Sequence, residues 1–194
     1  MEKRGGLKSK NVKGGILEKE KEKLLKMSEI SLWLDTYNDI FSSFDPRPYS
    51  GRALSDDFLI EAKKASREKV SGQIELKLLA PKKLRSVEQE ATIKKRLQEH
   101  FKKHYNLLKE EARNIKITGG IMTFVGVLLM FAAGWLASIN TKIVYNFLLV
   151  LLEPAGWFMA WFGLERIFYI SALKKADLEF YEKMSKVTIS FWSY

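Results

Sequence analysis

The chain has no cysteine and only two histidines, so disulfides and thiolate metal sites are excluded. A cysteine-free chain fits a reducing or an oxidising compartment alike. It also lacks G-x-x-x-x-G-K-[ST], G-x-G-x-x-G, G-x-S-x-G and H-E-x-x-H, the arrangements that cradle phosphates, expose a serine nucleophile or hold a catalytic zinc. A conventional catalytic site is not expected, and no cofactor is implied. Zinc-finger spacing and the aromatic-glycine signature of an RNA-binding sheet are missing as well. With basic and acidic residues interspersed, nucleic acid is not the expected partner. Met1 to Lys13 is polar and basic with no apolar core behind it, which is not the pattern of a secretory signal peptide.

What the sequence does have is two regions of opposite character, hidden by a mean hydropathy of -0.17. Residues 1–116 are charged and hold nearly all of the net charge of +10, whereas Ile117 to Ile170 is apolar. Ile117 to Ile139 contains no charged residue, enough chain to cross a hydrocarbon core of ~30 Å. A buried core helix in a soluble protein would need a shell that the remaining residues can hardly supply. The second apolar stretch, Ile143 to Ile170, is interrupted by Glu153-Pro154. Proline suits a first helical turn and an acidic residue favours the positive helix N-terminus. The second crossing is therefore expected over 153–170, with 140–152 as an outer connector whose apolar part lies at the interface or half inserted.

Lysines and arginines cluster before the first crossing (Lys102, Lys103, Lys109, Arg113, Lys116) and after the second (Lys174, Lys175, Lys183, Lys186), with only Lys142 between. By the positive-inside rule both termini face the cytoplasm. The basic excess then matches an anionic leaflet, so the bilayer and anionic lipid headgroups are the expected partners. Small residues recur on both crossings, Gly119, Gly126 and Ala133 on the first and Gly156, Ala160 and Gly163 on the second. They permit close helix packing, within the hairpin or between copies in a homo-oligomer. Trp135, Trp157 and Trp161 read as interface or packing aromatics.

Outside the hairpin, residues 1–27 read as a basic flexible arm. Ile30, Leu32 and Leu34 alternate with Ser31, Trp33 and Asp35, as in a strand. A proline-stiffened loop over 41–54 precedes Ser55-Asp56-Asp57, an N-cap and acidic first turn, with Phe58, Leu59, Ala62 and Ala65 as the apolar stripe of a helix ending near Lys69 before Gly72. A second strand places Ile74, Leu76 and Leu78 on one face, opposite Gln73, Glu75 and Lys77. Ser86 to Gln89 reads as a capping box opening a long juxtamembrane helix over 86–116 that runs into the first crossing, continuous or kinked at Gly119-Gly120. Residues 171–194 read as a helix and a strand, with Val187, Ile189 and Phe191 on one face. The fold class expected is a small cytoplasmic α/β (α+β) domain over 28–116 plus a two-helix transmembrane hairpin, the C-terminal strand returning to the cytoplasmic sheet.

The loop IFSSFDPRPYSGRALSDDF resembles the LF-x-x-x-DP-x-P-[FY] loop of a widespread, uncharacterised family of two-span prokaryotic membrane proteins. His100-Phe101 before the first crossing is similar to that family's His-Phe pair, and EPAGWFMAWFGLERIFY to its Gly-Trp-containing second span. Arg47 between the prolines, and Phe162-Gly163-Leu164 where a proline often precedes the glutamate, depart from the pattern. The resemblance implies the topology and a prokaryotic inner-membrane location; it implies no activity.

Candidate chemical residues are few. His100 and His104 stand one turn apart and could share a metal, though no third ligand is spaced to help. Arg47, Tyr49 and Arg52 could take an anion or lipid headgroup beside the helix start at Ser55, or could fix the loop onto the domain. Glu153, Glu165 and Arg166 are the ionisable groups of the membrane segment. Helix capping is expected of Glu153, and pairing with Arg166 or a basic tail residue of Glu165, ahead of an ion pathway. The function expected is a self-associating structural or interaction protein; a channel or pore-forming effector gated by the cytoplasmic domain is the alternative.

Overall fold

The structure is a computed structural model that describes residues 29–67, 74–139 and 143–194. The expected arm over 1–27, the helix end at Lys69, Gly72, Gln73, and the connector residues Asn140 and Lys142 lie outside the described residues. The chain is mostly helical with a small three-stranded sheet, and it has two helices long and apolar enough to cross a membrane. The elements run β1 (Glu29–Trp33), a 3-10 turn (Tyr37–Ile40), α1 (Asp56–Arg67), β2 (Glu75–Ala80), a second 3-10 turn (Lys82–Leu84), α2 (Val87–Ile139), α3 (Ile143–Glu165), a π-turn (Arg166–Ile170), α4 (Ser171–Ser185) and β3 (Thr188–Ser193). They divide into two compact units, Met1–Lys102 with Phe180–Tyr194, and Lys103–Glu179.

In the first unit all strand pairs are parallel, in the order β1-β2-β3. Leu76 is opposite Ile30 on one side and Ile189 on the other. Strand alternation decides which face is buried: Leu76, Leu78 and Ala80 are buried, whereas Glu75, Lys77 and Leu79 are only half-buried. On the buried face the strands meet Phe58 and Ala62 of α1, Ile93, Leu97 and Phe101 of α2, and Phe180 and Met184 of α4 in one apolar cluster. The opposite face is held by polar contacts. Lys77 pairs with Glu29, its Nζ lies 4.9 Å from the Trp192 ring centroid, and the Ser190 hydroxyl donates to Glu75 at 2.7 Å.

The start of α2 differs from the expected capping box. Ser86 Oγ accepts from the Gln89 N–H at 3.5 Å, but the Ser86 N–H donates to the Tyr37 hydroxyl at 3.1 Å, so no Gln89 side chain closes the reciprocal half. Tyr37 in turn donates to Glu90 Oε1 at 2.7 Å. Arg85 grips the same carboxylate through Nε, and through Nη2 at 2.9 Å. Burial opposes the charge on Glu90, yet the bonds from Arg85 and Tyr37 outweigh it and hold its pKa below the usual value. Burial, then the bond to Glu90, raises that of Tyr37. A buried carboxylate is tolerated because its lone pairs are matched by donors.

In the second unit the helix expected to start at Glu153-Pro154 starts earlier. α3 begins at Ile143 and carries Pro154 inside it, so 143–152 forms the first part of the second long helix. A helix interior loses one N–H bond at proline, a loss that apolar helices accommodate when neighbouring groups take up the freed carbonyl. Glu153 therefore caps no helix. Gly119 and Gly120 lie within α2 without ending it.

Candidate functional site

The small residues meet within the hairpin. A Cβ built on Gly119 would lie 2.8 Å from the Gly163 carbonyl oxygen; one on Gly126, 2.6 Å from that of Gly156; and one on Gly156, 2.9 Å from that of Gly126. Ala133 and Ala160 are buried along the same seam. Backbone touches backbone here, which is the geometry that glycine stripes permit. Gly120 and Gly134 have nothing within 4 Å of such an atom, so they lie off the seam.

One turn before Gly119 the seam opens into a cleft of about 420 Å³. Glu110, Glu111, Asn114 and Thr118 line it from α2, spaced to share one helix face. Leu107 and Ile115 add an apolar lining, and Arg166 enters from the other helix. Arg166 opens the π-turn, whose extra residue leaves the Ser171 N–H donating to the Arg166 carbonyl. Such single π-turns recur where a helix must re-aim a side chain. The Arg166 Nε is buried without a hydrogen-bond partner among the described residues. Glu111, by contrast, is 2.9 Å from Lys174 Nζ.

Arg166 was a candidate from the sequence, but its cleft was not. Four of its polar neighbours sit some fifty residues earlier, and only the glycine seam decides which face of α2 they turn to it. Glu165 is exposed at the end of α3 and forms no ion pair with Arg166 among the described residues. Adjacent helix positions point in different directions. Glu153 is exposed well inside α3, one and two turns before Trp157 and Trp161, whose rings stack at 6.2 Å.

The other candidates have structural engagements. Arg47 forks onto Asp45, with Nη2 to Oδ2 at 2.7 Å, and Asp45 also accepts the Ala53 N–H at 2.7 Å. These contacts, Arg47 first, hold the Asp45 carboxyl well below the usual carboxylate range. Arg52 donates to the Ser42 carbonyl at 3.0 Å and to Asn38 Oδ1 at 2.8 Å, and the Tyr49 hydroxyl reaches the same Asn38 oxygen at 3.2 Å. Loop fixing is what this geometry provides. His100 lies edge-on to Phe101, with ring centroids 5.8 Å apart; no group of three or more metal-ligating side chains occurs among the described residues. No family model, curated protein or solved structure matches the chain.

Proposed function

We propose that the chain is an integral membrane protein that self-associates through the outer face of its hairpin, with a basic domain on the cytoplasmic side of a prokaryotic inner membrane. Exposed apolar surface carries the membrane reading. In the most apolar stretches of the two long helical segments only 11% and 17% of residues are buried. Phe124, Phe131, Trp135, Phe147 and Val150 are each more than 60% exposed. The core helix of a soluble protein is mostly buried, and soluble monomers rarely present so continuous an apolar surface. Lipid is the solvent that suits it, and the flanking lysines and arginines orient both termini inward.

Glu153 carries the self-association reading. On α3 it stands near the middle of the span, exposed among apolar side chains, where a carboxylate facing lipid costs several kcal/mol. A second copy laid along Glu153, Trp157 and Trp161 removes it from lipid and gives it a donor. The glycine seam is already occupied within the hairpin, so association uses this other face. Light scattering of the detergent-solubilised protein, with the detergent mass subtracted, tests the proposal. A discrete mass of several subunits that falls to one subunit in Trp157→Ala/Trp161→Ala supports it, and a monomeric wild type refutes self-association. Release from membranes by alkaline carbonate refutes the membrane reading. Glu153 also favours a second reading, in which its carboxylates line a path through an oligomer; ion flux in liposomes lost in Glu153→Gln would select that one.

A further inference from the structure

We propose that the cleft beside Arg166 binds the headgroup of a primary-amine phospholipid, of which phosphatidylethanolamine is the simplest. The inference rests on the membrane reading of the hairpin and on four observations. First, the cleft is lined where charged sequence gives way to apolar: Glu110 to Thr118 straddle the start of the apolar run of α2 at Ile117, and Arg166, with Glu165 before it, lies near the end of the second apolar stretch, one turn before Ile170. In a membrane-spanning hairpin this is the level of the lipid headgroups. Second, its volume of about 420 Å³ lies within the range of small-ligand sites.

Third, the Arg166 Nε has a buried donor and no acceptor among the described residues. A desolvated donor left unmade is costly, and a guanidinium matches a phosphate better than any other side chain does. Thr118 and Asn114 on the facing helix supply further hydrogen-bonding groups for the phosphate and its esters. Fourth, the lining is of mixed charge. Glu111 is engaged with Lys174, but Glu110 has no ion-pair partner among the described residues. An anionic lipid such as phosphatidylglycerol would meet these carboxylates as repulsion. A choline headgroup offers them no hydrogen-bond donor. A primary ammonium offers three donors beside its phosphate, so it alone satisfies both ends of the cleft.

Native mass spectrometry of the full-length protein in detergent tests this, with phosphatidylethanolamine, phosphatidylglycerol, phosphatidylcholine and inorganic phosphate each added separately. The expected result is preferential retention of phosphatidylethanolamine. Arg166→Gln should reduce that retention by about tenfold or more, since one charge-assisted hydrogen bond is worth at least ~1.4 kcal/mol. Glu110→Gln, at an exposed position, should erase the preference over phosphatidylglycerol while retention of phosphate-bearing lipid persists. Equal retention of the three lipids, retention unchanged in Arg166→Gln with an unaltered melting temperature, or inorganic phosphate competing as well as the lipid would each overturn the proposal. Carbonate extraction keeps the two readings apart: a protein that stays in the membrane yet shows no headgroup preference fails here alone.

Discussion

Adding one methyl group at Gly126 should unseat the hairpin, and adding the same group at Gly120 should not. In Gly126→Ala the new Cβ would lie 2.6 Å from the Gly156 carbonyl oxygen and 2.9 Å from the Ala160 Cα. Both are backbone atoms, which cannot turn aside as a side chain would. Alanine raises helix propensity by about 1 kcal/mol over glycine, so propensity alone predicts stabilisation at either position. Overpacking of a tight contact costs about 1–3 kcal/mol, and here relief requires the two helices to separate, which also loosens the contacts of Gly119 with Gly163. The clash therefore outweighs propensity at Gly126, with a net loss of up to about 2 kcal/mol, while Gly120→Ala and Gly134→Ala, with nothing within 4 Å, gain up to about 1 kcal/mol. Thermal unfolding in one detergent, followed by circular dichroism, compares all three with wild type. Should Gly126→Ala melt at or above Gly120→Ala, the seam does not hold the hairpin and the reasoning fails.

Three further outcomes are expected. Tyr37→Phe removes the hydroxyl that links the Ser86 N–H to Glu90 and should lower the stability of the first unit by about 1–3 kcal/mol, read as an earlier midpoint in urea followed by Trp fluorescence. The lowered pKa values of Glu90 and Asp45 mean that the folded state binds these protons more weakly than the unfolded one. Their stabilisation is fully present above the ordinary carboxylate range and is lost as pH falls through their depressed values; Glu90→Gln should flatten the acid limb of a melting-temperature profile, and an unchanged limb would count against the network. Ending the chain at Lys186 removes β3 and the buried Val187 and Ile189, worth about 1.5–3 kcal/mol each, and hydrogen exchange should show β2 losing protection, a result that unaltered β2 amides would contradict.

The strands were legible because their period is two. Ile30, Leu76 and Ile189 sit where the alternation of apolar residues puts them, and they face one another across the sheet. Parallel pairing was not legible, since alternation says nothing about strand direction. The start of α3 departs from expectation for a physical reason: Glu153-Pro154 is a sound N-terminal signal in a water-soluble helix, whereas an apolar helix carries a proline internally when its neighbours compensate. The second half of the capping box failed because a hydroxyl from Tyr37, far away in sequence, took the Ser86 N–H. For Arg47 and Arg52 the sequence left anion binding and loop fixing equally open, and distance separates them, because their guanidiniums already meet Asp45, Ser42 and Asn38. The cleft stayed hidden since it exists only where two helix faces meet, and a π-turn that no propensity signals aims one of its residues.

Parallel pairing also constrains how the sheet can be completed. β1 reaches β2 by a crossover through α1, the usual way of joining parallel strands. β2 reaches β3 only by way of α2, α3 and α4, so the whole hairpin is contained in one crossover connection. Until the chain has been made through both long helices, β2 presents an unpaired edge whose buried face includes Leu76 and Leu78. Unpaired strands of that kind invite wrong partners, and pairings of such long sequence separation form late because loop closure precedes their reward.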